Sequence, residues 1–227
     1  MKFSKIISAT AAALLMSGAA QAALVSFDYG LPITEIVTEI QQTGQLGLFD
    51  SSLGTLTGAT LVIEGSATFS FSGTNNAQNP QNANLISDTS LMWSSSLAAL
   101  TPLLTDTIDL AYSSGIQNYA VGETKNFGPV QDDGSFSYDL SSILGSLSAA
   151  GGGNFSLTCE SLSSFRVAGG GGNISTTQST TAGCGARIVY TYDEATQPPT
   201  NVPEPASLAL FGLALTGAAV ARRRKSR

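Results

Sequence analysis

The sequence of 227 residues contains no histidine. This absence excludes Ser-His-Asp and Cys-His catalysis, zinc sites with histidine ligands and acid–base chemistry by an imidazole. Carboxylates remain as the main groups that could act as an acid or a base. We therefore expect a protein that is not an enzyme, that has no cofactor and that holds no metal ion.

Basic residues are scarce in the middle of the chain. Of 10 Lys and Arg residues, only Lys125, Arg166 and Arg187 lie between positions 23 and 200, where all but one of the 16 acidic residues are found. A domain with this excess of negative charge repels phosphate backbones and anionic headgroups. The sequence thus argues against nucleic acid as a partner, and the acidity is expected to serve solubility.

Positions 1–22 have the organisation of a secretory signal peptide. Lys2 and Lys5 lie near the start of the chain, and an apolar, uncharged run follows them. Ala20 and Ala22 form the small-x-small pattern of a signal-peptidase site, so the mature chain is predicted to begin at Ala23. The alternative is an N-terminal membrane helix, for which the apolar run is short.

The C-terminal end is predicted to be a short membrane-retention segment. A proline-rich linker at 197–201 is followed by Val202, Pro203, Glu204 and Pro205, an apolar run at 206–221 and a basic tail at 222–227. Sixteen helical residues reach about 24 Å, less than the ~30 Å hydrocarbon core, so we expect a single weak transmembrane helix. The basic tail should stay in the cytoplasm and leave the preceding domain outside.

The residues from 202 to 227 resemble the PEP-CTERM sorting signal in motif, order and spacing. The resemblance implies recognition by exosortase, an integral-membrane transpeptidase, and cleavage near Pro203, Glu204 and Pro205. The chain would be held transiently in the inner membrane and then reach the cell surface or the extracellular space. The alternative is a plain single-pass anchor.

The two cysteines, Cys159 and Cys184, are predicted to form a disulfide because the chain is expected to be exported. One glycine run, at 151–153, lies just before Cys159, and another, at 169–172, lies between the two cysteines. Such glycine-rich chain loses much conformational entropy when it becomes ordered. A bridge there would contribute about 3.5 kcal/mol on the chain-entropy model. The alternative is a reactive or metal-binding thiol pair, which no Cys-x-x-Cys spacing favours.

The segment from 23 to 196 is predicted to be one all-β domain, an antiparallel two-sheet sandwich of jelly-roll-like type, flanked by the signal helix and the transmembrane helix. Apolar and polar residues alternate, or β-branched and aromatic residues cluster, in four predicted strands: 33–42, 61–71, 134–138 and 186–192. The alternation in the strand predicted at 61–71 places Ala67, Phe69 and Phe71 on one face.

Turns are predicted where Gly or Pro follows a polar or small residue. The three signals are Asn79-Pro80, Gly128-Pro129 and Asp132-Asp133-Gly134. The stretch from 140 to 150 is the one place where a short helix is possible.

A second resemblance lies within the domain. Residues 48–61, with Phe49-Asp50 and Leu53-Gly54, and the closing Val189–Tyr192 resemble segments of the choice-of-anchor E domains. That family accompanies different surface anchors and carries no enzymatic activity. Read physically, Phe49 and Leu53 are expected to enter the core and Gly54 to permit a turn.

Other residues could carry chemistry, and each has a plainer structural interpretation. Carboxylates occur in four pairs: Glu35 with Glu39, Asp106 with Asp109, Asp132 with Asp133, and Asp193 with Glu194. The residues Asp132–Ser135 with Asp139 could offer oxygen ligands to Ca²⁺, but they lack the spacing of an EF-hand. Trp93, with Tyr112 and Tyr119, could stack on sugar rings, although a lone Trp among apolar neighbours is more often core.

The sequence favours a non-catalytic, exported surface protein that associates with exopolysaccharide or a biofilm matrix. A carbohydrate-binding surface module is the alternative. A hydrolase with a carboxylate pair is a third hypothesis, and it requires two acids facing each other in a cleft.

Overall fold

The alternation of apolar and polar residues produces long paired strands. The computed structural model describes residues 22–195. Within them the strands are Ala22–Tyr29 (β1), Ile36–Val37 (β2), Gln41–Gly47 (β3), Phe49–Asp50 (β4), Gly54–Asn75 (β5), Gln81–Ser95 (β6), Ile108–Ser113 (β7), Gln117–Tyr119 (β8), Thr124–Asp139 (β9), Ser148–Ala149 (β10), Asn154–Gly169 (β11) and Ile174–Glu194 (β12). Short 3-10 helices occupy Thr101–Leu103, Ser141–Ser146 and Gly170–Gly172.

The strands form two antiparallel sheets, which confirms the predicted sandwich. The first sheet has the order β1-β12-β5-β9, with β2 also paired to β12. The second has the order β3-β11-β6-β7, with β8 paired to β6. The two-residue strands β10 and β4 pair separately and in parallel.

The core lies between the inner faces of the two sheets. Along β5, Ala67, Phe69 and Phe71 are all buried, as their alternation predicts, and Phe71 packs against Phe165 of β11 with ring centroids 5.5 Å apart. Edge-to-face contact of this kind stabilises a core beyond simple burial. Phe49 is fully buried as expected, whereas Leu53 is 43% exposed and the prediction that it enters the core is wrong.

The predicted disulfide is present, and it joins the two sheets. Cys159 lies on β11 of the second sheet and Cys184 on β12 of the first, and the two form a bridge with Cα atoms 6.4 Å apart. Both residues are buried in the core. The bond therefore ties the middle of one sheet to the middle of the other.

The first and last strands of the described chain are neighbours. β1 runs antiparallel to β12, and Ala23 pairs with Tyr192. The expected start of the mature chain thus lies beside the point where β12 leads into the linker. Of the predicted helices, the signal helix (apart from Ala22) and the run at 206–221 lie outside the described residues, and within 22–195 no helix is long and apolar enough to cross a membrane.

Two of the three predicted turns are wrong. Asn79-Pro80 does connect β5 to β6, but Gly128-Pro129 and Asp132-Asp133-Gly134 lie within β9. At Gly134, a Cβ atom would come within 2.7 Å of the Ile108 side chain on β7. The glycine allows the edges of the two sheets to approach, so its role is packing and not chain reversal.

The predicted strand at 33–42 is largely wrong. Only Ile36–Val37 and the start of β3 are extended and paired there. The intervening chain passes from the first sheet to the second, since the backbone N–H of Thr38 donates to Thr180 of β12 while that of Ser161 on β11 donates to Ile40. At 140–150, the short helix is present as the 3-10 turn Ser141–Ser146.

Candidate functional site

The predicted processing residues are placed mainly outside the structure. Val202, Pro203, Glu204 and Pro205 lie beyond residue 195, and Ala20 precedes residue 22. Ala22 and Ala23 are the first two residues of β1. Within the described chain, the features that could form a site are concentrated around residues 30–40, which we call the strap.

The strap lies on glycines of β12. A Cβ atom at Gly183 would come within 2.6 Å of the Thr34 carbonyl oxygen, and one at Gly185 within 2.3 Å of the Leu31 side chain. These distances are shorter than any ordinary contact, so only glycine permits the strap to sit this close to the sheet.

Glu35 fastens the strap to the first sheet. Its carboxylate accepts hydrogen bonds from the hydroxyls of Ser66, at 2.6 Å, and Thr181, at 2.7 Å. Partial burial raises the pKa of Glu35, but hydrogen bonds from Ser66, Thr181 and Thr68 outweigh it, and the pKa is lowered from its ordinary value. The carboxylate is therefore held in its charged form.

Glu39 fastens the other end of the strap to the second sheet. Its carboxylate accepts a hydrogen bond from the backbone N–H of Ser163 at 2.7 Å. Ser163 lies on β11 just beyond the last residue that pairs with β3. The hydroxyl oxygen of Ser161 accepts a hydrogen bond from the backbone N–H of Ile40 at 2.8 Å. The predicted pair of Glu35 and Glu39 thus serves two different sheets.

Asp132 and Asp109, each from another predicted carboxylate pair, also hold a backbone group or a neighbouring side chain. Asp132 accepts the backbone N–H of Ala111 at 2.9 Å and so links β9 to β7, while Asp109 accepts the hydroxyl of Ser90 at 2.6 Å. Burial, followed by the charge of Asp106, raises the pKa of Tyr138 to about 12. Asp193 and Glu194 end β12.

The alternative calcium site finds no support in the described chain. Asp132, Asp133 and Asp139 lie on one strand, and Asp139 accepts the backbone N–H of Ser141 at 2.9 Å, which caps the following 3-10 turn. Hydrogen bonds from Ser141 lower the pKa of Asp139. Between residues 22 and 195, no three His, Cys, Asp or Glu side chains come together in a way that could hold a metal ion.

The three aromatic residues proposed to stack on sugars belong to the interior. Trp93 is only 7% exposed and Tyr119 is fully buried. Tyr112 is half-buried and packs on Phe71 with ring centroids 5.2 Å apart. The core interpretation of Trp93 is confirmed, and these rings do not form an exposed platform.

An open cleft lies beneath the strap, and the sequence did not indicate it. The cleft has a volume of about 290 Å³. It is lined by residues from the end of β1, the strap, β3 and β12: Tyr29, Gly30, Pro32, Thr34, Gln42, Thr43 and Cys184. No sequence pattern could have found it, because Gln42 and Cys184 are brought together only by the pairing of distant strands.

Hydrogen bonds between its walls fix the shape of the cleft. The backbone N–H of Cys184 donates to the side-chain oxygen of Gln42 at 2.9 Å, and the Tyr29 hydroxyl donates to the Gln42 backbone carbonyl at 2.9 Å. The hydroxyls of Thr43 and Thr158 are 2.8 Å apart. Burial raises the pKa of Tyr29, so the phenol is neutral at physiological pH.

The surface around the domain is strongly acidic. Each basic residue of the described chain already has an acidic neighbour: Lys125 lies 3.9 Å from Glu123, Arg166 pairs with Asp88, and Arg187 pairs with Asp28 at 2.5 Å. The remaining carboxylates have no basic counterpart among residues 22–195. This field disfavours anionic ligands anywhere on the domain.

Comparison with known families finds the PEP-CTERM protein-sorting motif at residues 201–225. This motif supports export, targeting to exosortase and sorting to the cell surface. It covers the tail of the chain and leaves the sandwich unassigned. No curated protein matches the chain.

Two solved structures of infectious bursal disease virus are weakly similar. The Gx strain structure shares 11% identity over 86% of this chain and 48% of the viral chain, with a TM-score of 0.17. The Gt strain structure shares 11% identity over 86% and 47%, with a TM-score of 0.10. The chain thus spans about half the length of these viral chains, and TM-scores this low do not establish a shared fold.

Proposed function

We propose that this chain is an exosortase-processed structural protein of the cell surface, associated with exopolysaccharide or a biofilm matrix. The observation that carries the proposal is the sorting motif at 201–225 directly behind a disulfide-bonded sandwich. Disulfides persist in exported proteins, so the two features agree on the compartment.

The order of events follows from the two ends of the chain. The signal peptide at 1–22 directs export and is removed before Ala23. The apolar run at 206–221 and the basic tail then hold the chain in the inner membrane until cleavage near Pro203–Pro205 releases the domain. Ala23, the expected first residue of the mature chain, pairs with Tyr192 near the end of β12.

A non-catalytic role is supported by what the acidic side chains do. The chain has no histidine. Glu35, Glu39 and Asp132 each accept a hydrogen bond that joins separate segments of the domain, and Asp139 caps a 3-10 turn. Carboxylates committed in this way hold the fold together, and they are poorly placed to exchange protons with a substrate.

The finer assignment of the domain is also a proposal. The strand orders β1-β12-β5-β9 and β3-β11-β6-β7, in which successive strands repeatedly change sheets, support a jelly-roll-like sandwich. The burial of Phe49 supports an architectural role for the segment that resembles the choice-of-anchor E domains.

Intact-mass analysis of protein shed by the producing cells tests the sorting step. We expect a mass that begins at Ala23 and ends near Val202–Pro205, and a Glu204→Ala chain that stays in the membrane uncleaved. Shed protein that still carries the arginines of 222–227 would contradict processing.

Incubation of the processed protein with the polysaccharide of the same cells tests the non-catalytic role and the association. We expect co-sedimentation without release of reducing sugar. Sustained hydrolysis that copurifies with the protein would overturn the non-catalytic role, and an absence of co-sedimentation would overturn the association.

A further inference from the structure

We propose that the cleft beneath the strap is a binding site for one neutral sugar ring of a polysaccharide. The juxtaposition that carries this inference is that of Tyr29, Thr34 and Gln42, which line one open cavity of about 290 Å³. The inference rests on the proposed surface function for its setting and adds to it a site and a ligand class.

The lining of the cleft is uncharged. None of the residues that line the cleft carries a charge, although the domain around it is strongly acidic. A cation would be expected to bind where carboxylates line the wall, and an anion is repelled by the surrounding field. The cleft is therefore suited to a neutral ligand.

The lining of the cleft combines polar and apolar residues. Tyr29 and Pro32 supply apolar surface, whereas Thr34, Gln42 and Thr43 supply hydroxyl and amide groups. A sugar ring presents apolar C–H groups together with several hydroxyls, so it needs both kinds of partner at once. A purely apolar ligand would leave the polar groups of the cleft unpaired, which is costly.

The hydrogen bond made by Gln42 fixes the orientation of its side-chain amide. Its side-chain oxygen already accepts the N–H of Cys184, so the amide nitrogen is the end that remains to donate two hydrogen bonds. The Tyr29 hydroxyl donates to the Gln42 carbonyl and keeps its oxygen lone pairs as acceptors. Donors and acceptors are thus both available to a ligand hydroxyl.

The cleft is small and its walls are held in place. Small-molecule sites usually measure about 300–1,000 Å³, so this cleft lies at the lower end and suits a single ring. Its walls are fixed before any ligand arrives, because Glu35 and Glu39 fasten the strap to both sheets. A preformed site loses less entropy on binding.

Saturation-transfer difference NMR on the full chain tests the assignment. The probes are the methyl glycosides of glucose, galactose, mannose and N-acetylglucosamine, and the protein is held in a detergent without a sugar headgroup. We expect saturation transfer to at least one of the four glycosides and affinity in the millimolar range, typical of a single small ring.

Three variants locate the binding. Gln42→Glu keeps the acceptor for Cys184 and removes the amide donors, and Thr34→Val removes a hydroxyl at constant shape. Each should weaken binding roughly tenfold, the equivalent of one lost hydrogen bond. The matched control is Gln45→Glu, which makes the same change at an exposed position of the same strand and should bind as the wild type does.

The proposal would be overturned by an absence of saturation transfer to all four glycosides, or by equal binding of Gln42→Glu and the wild type. Binding of a peptide of residues 196–205 in the cleft, with no sugar binding, would also overturn it. The mass of the protein shed by the producing cells, measured separately, reports on the proposed surface function.

Discussion

The backbone N–H of Cys184 donates to the side-chain oxygen of Gln42 at 2.9 Å, although the two residues lie 142 positions apart. The Cys184 side chain meanwhile bonds to Cys159 on the opposite sheet. One residue of β12 is therefore joined both to β3, beside the cleft, and to β11. Changes at Cys184 should affect the stability of the sandwich and the shape of the cleft together.

Removal of the disulfide should destabilise the domain. For Cys159→Ala/Cys184→Ala, we expect the free energy of unfolding to fall by about 3.5 kcal/mol, because the unfolded chain regains the entropy of an open loop. Urea unfolding with and without reductant measures this. Reductant should lower the midpoint of the wild type and leave that of the double variant unchanged; equal midpoints for the two oxidised proteins would contradict the prediction.

Stability should depend on pH through Glu35. Its pKa in the folded protein is below the ordinary value of 4.5, so its contribution is present above about pH 4.5 and is lost as the pH falls through the lowered value. Glu35→Gln should therefore be less stable than wild type at pH 7, with the gap closing in acid. The effect should be modest, since the side chain is only half-buried.

Glu194→Gln at the end of β12 is the control for Glu35, because it makes the same chemical change at an exposed site. The difference in unfolding free energy between Glu194→Gln and the wild type should be small at pH 7. A gap for Glu35→Gln that stays constant or widens as the pH falls would contradict the proposed role of the carboxylate.

The glycines under the strap should not tolerate a side chain. Gly183→Ala places a methyl group within 2.6 Å of the Thr34 carbonyl oxygen, and we expect a loss of about 1–3 kcal/mol from the resulting strain. Gly58→Ala on β5 is the matched control, because its nearest contact is 3.7 Å away. Thermal unfolding compares the two, and equal stability would show that the strap moves aside freely.

Trp93 and Met92 provide a test of the core from adjacent positions of β6. Trp93 is 7% exposed and Met92 is 42% exposed, so the two side chains point to opposite faces of the second sheet. Trp93→Ala should cost about 3–5 kcal/mol of unfolding free energy through the cavity it leaves. Met92→Ala should cost much less, and a similar loss for both would contradict the assignment of the inner face.

Local patterns predicted what depends on local chemistry. The alternation that ends in Phe69 and Phe71 identified the inner face of β5, and the pairing of Cys159 with Cys184 followed from their number and the exported setting. The turn predicted at Asp132-Asp133-Gly134 is wrong, because the sequence does not distinguish a glycine that permits close packing against Ile108 from one that permits a reversal of the chain.

The candidate site depends on contacts that no local pattern encodes. Glu35 meets Thr181 only because β2 and β12 pair in one particular register. The cleft likewise needs β3 and β12, which belong to different sheets, to meet beneath the strap. Residues 33–42 looked like one strand because β-branched residues are frequent there, but tertiary packing turned most of them into a crossing between sheets.

The last strand of the domain to be synthesised, β12, lies between β1 and β5, which are synthesised well before it. β12 separates β1 from β5, so the first sheet has a gap in its middle until residues 174–194 have passed through the membrane. Contacts between such distant parts of a chain form late and slowly. The first sheet is consequently completed only when β12 has been added, and a chain that stops before residue 174 would leave β1 and β5 without the partner that joins them.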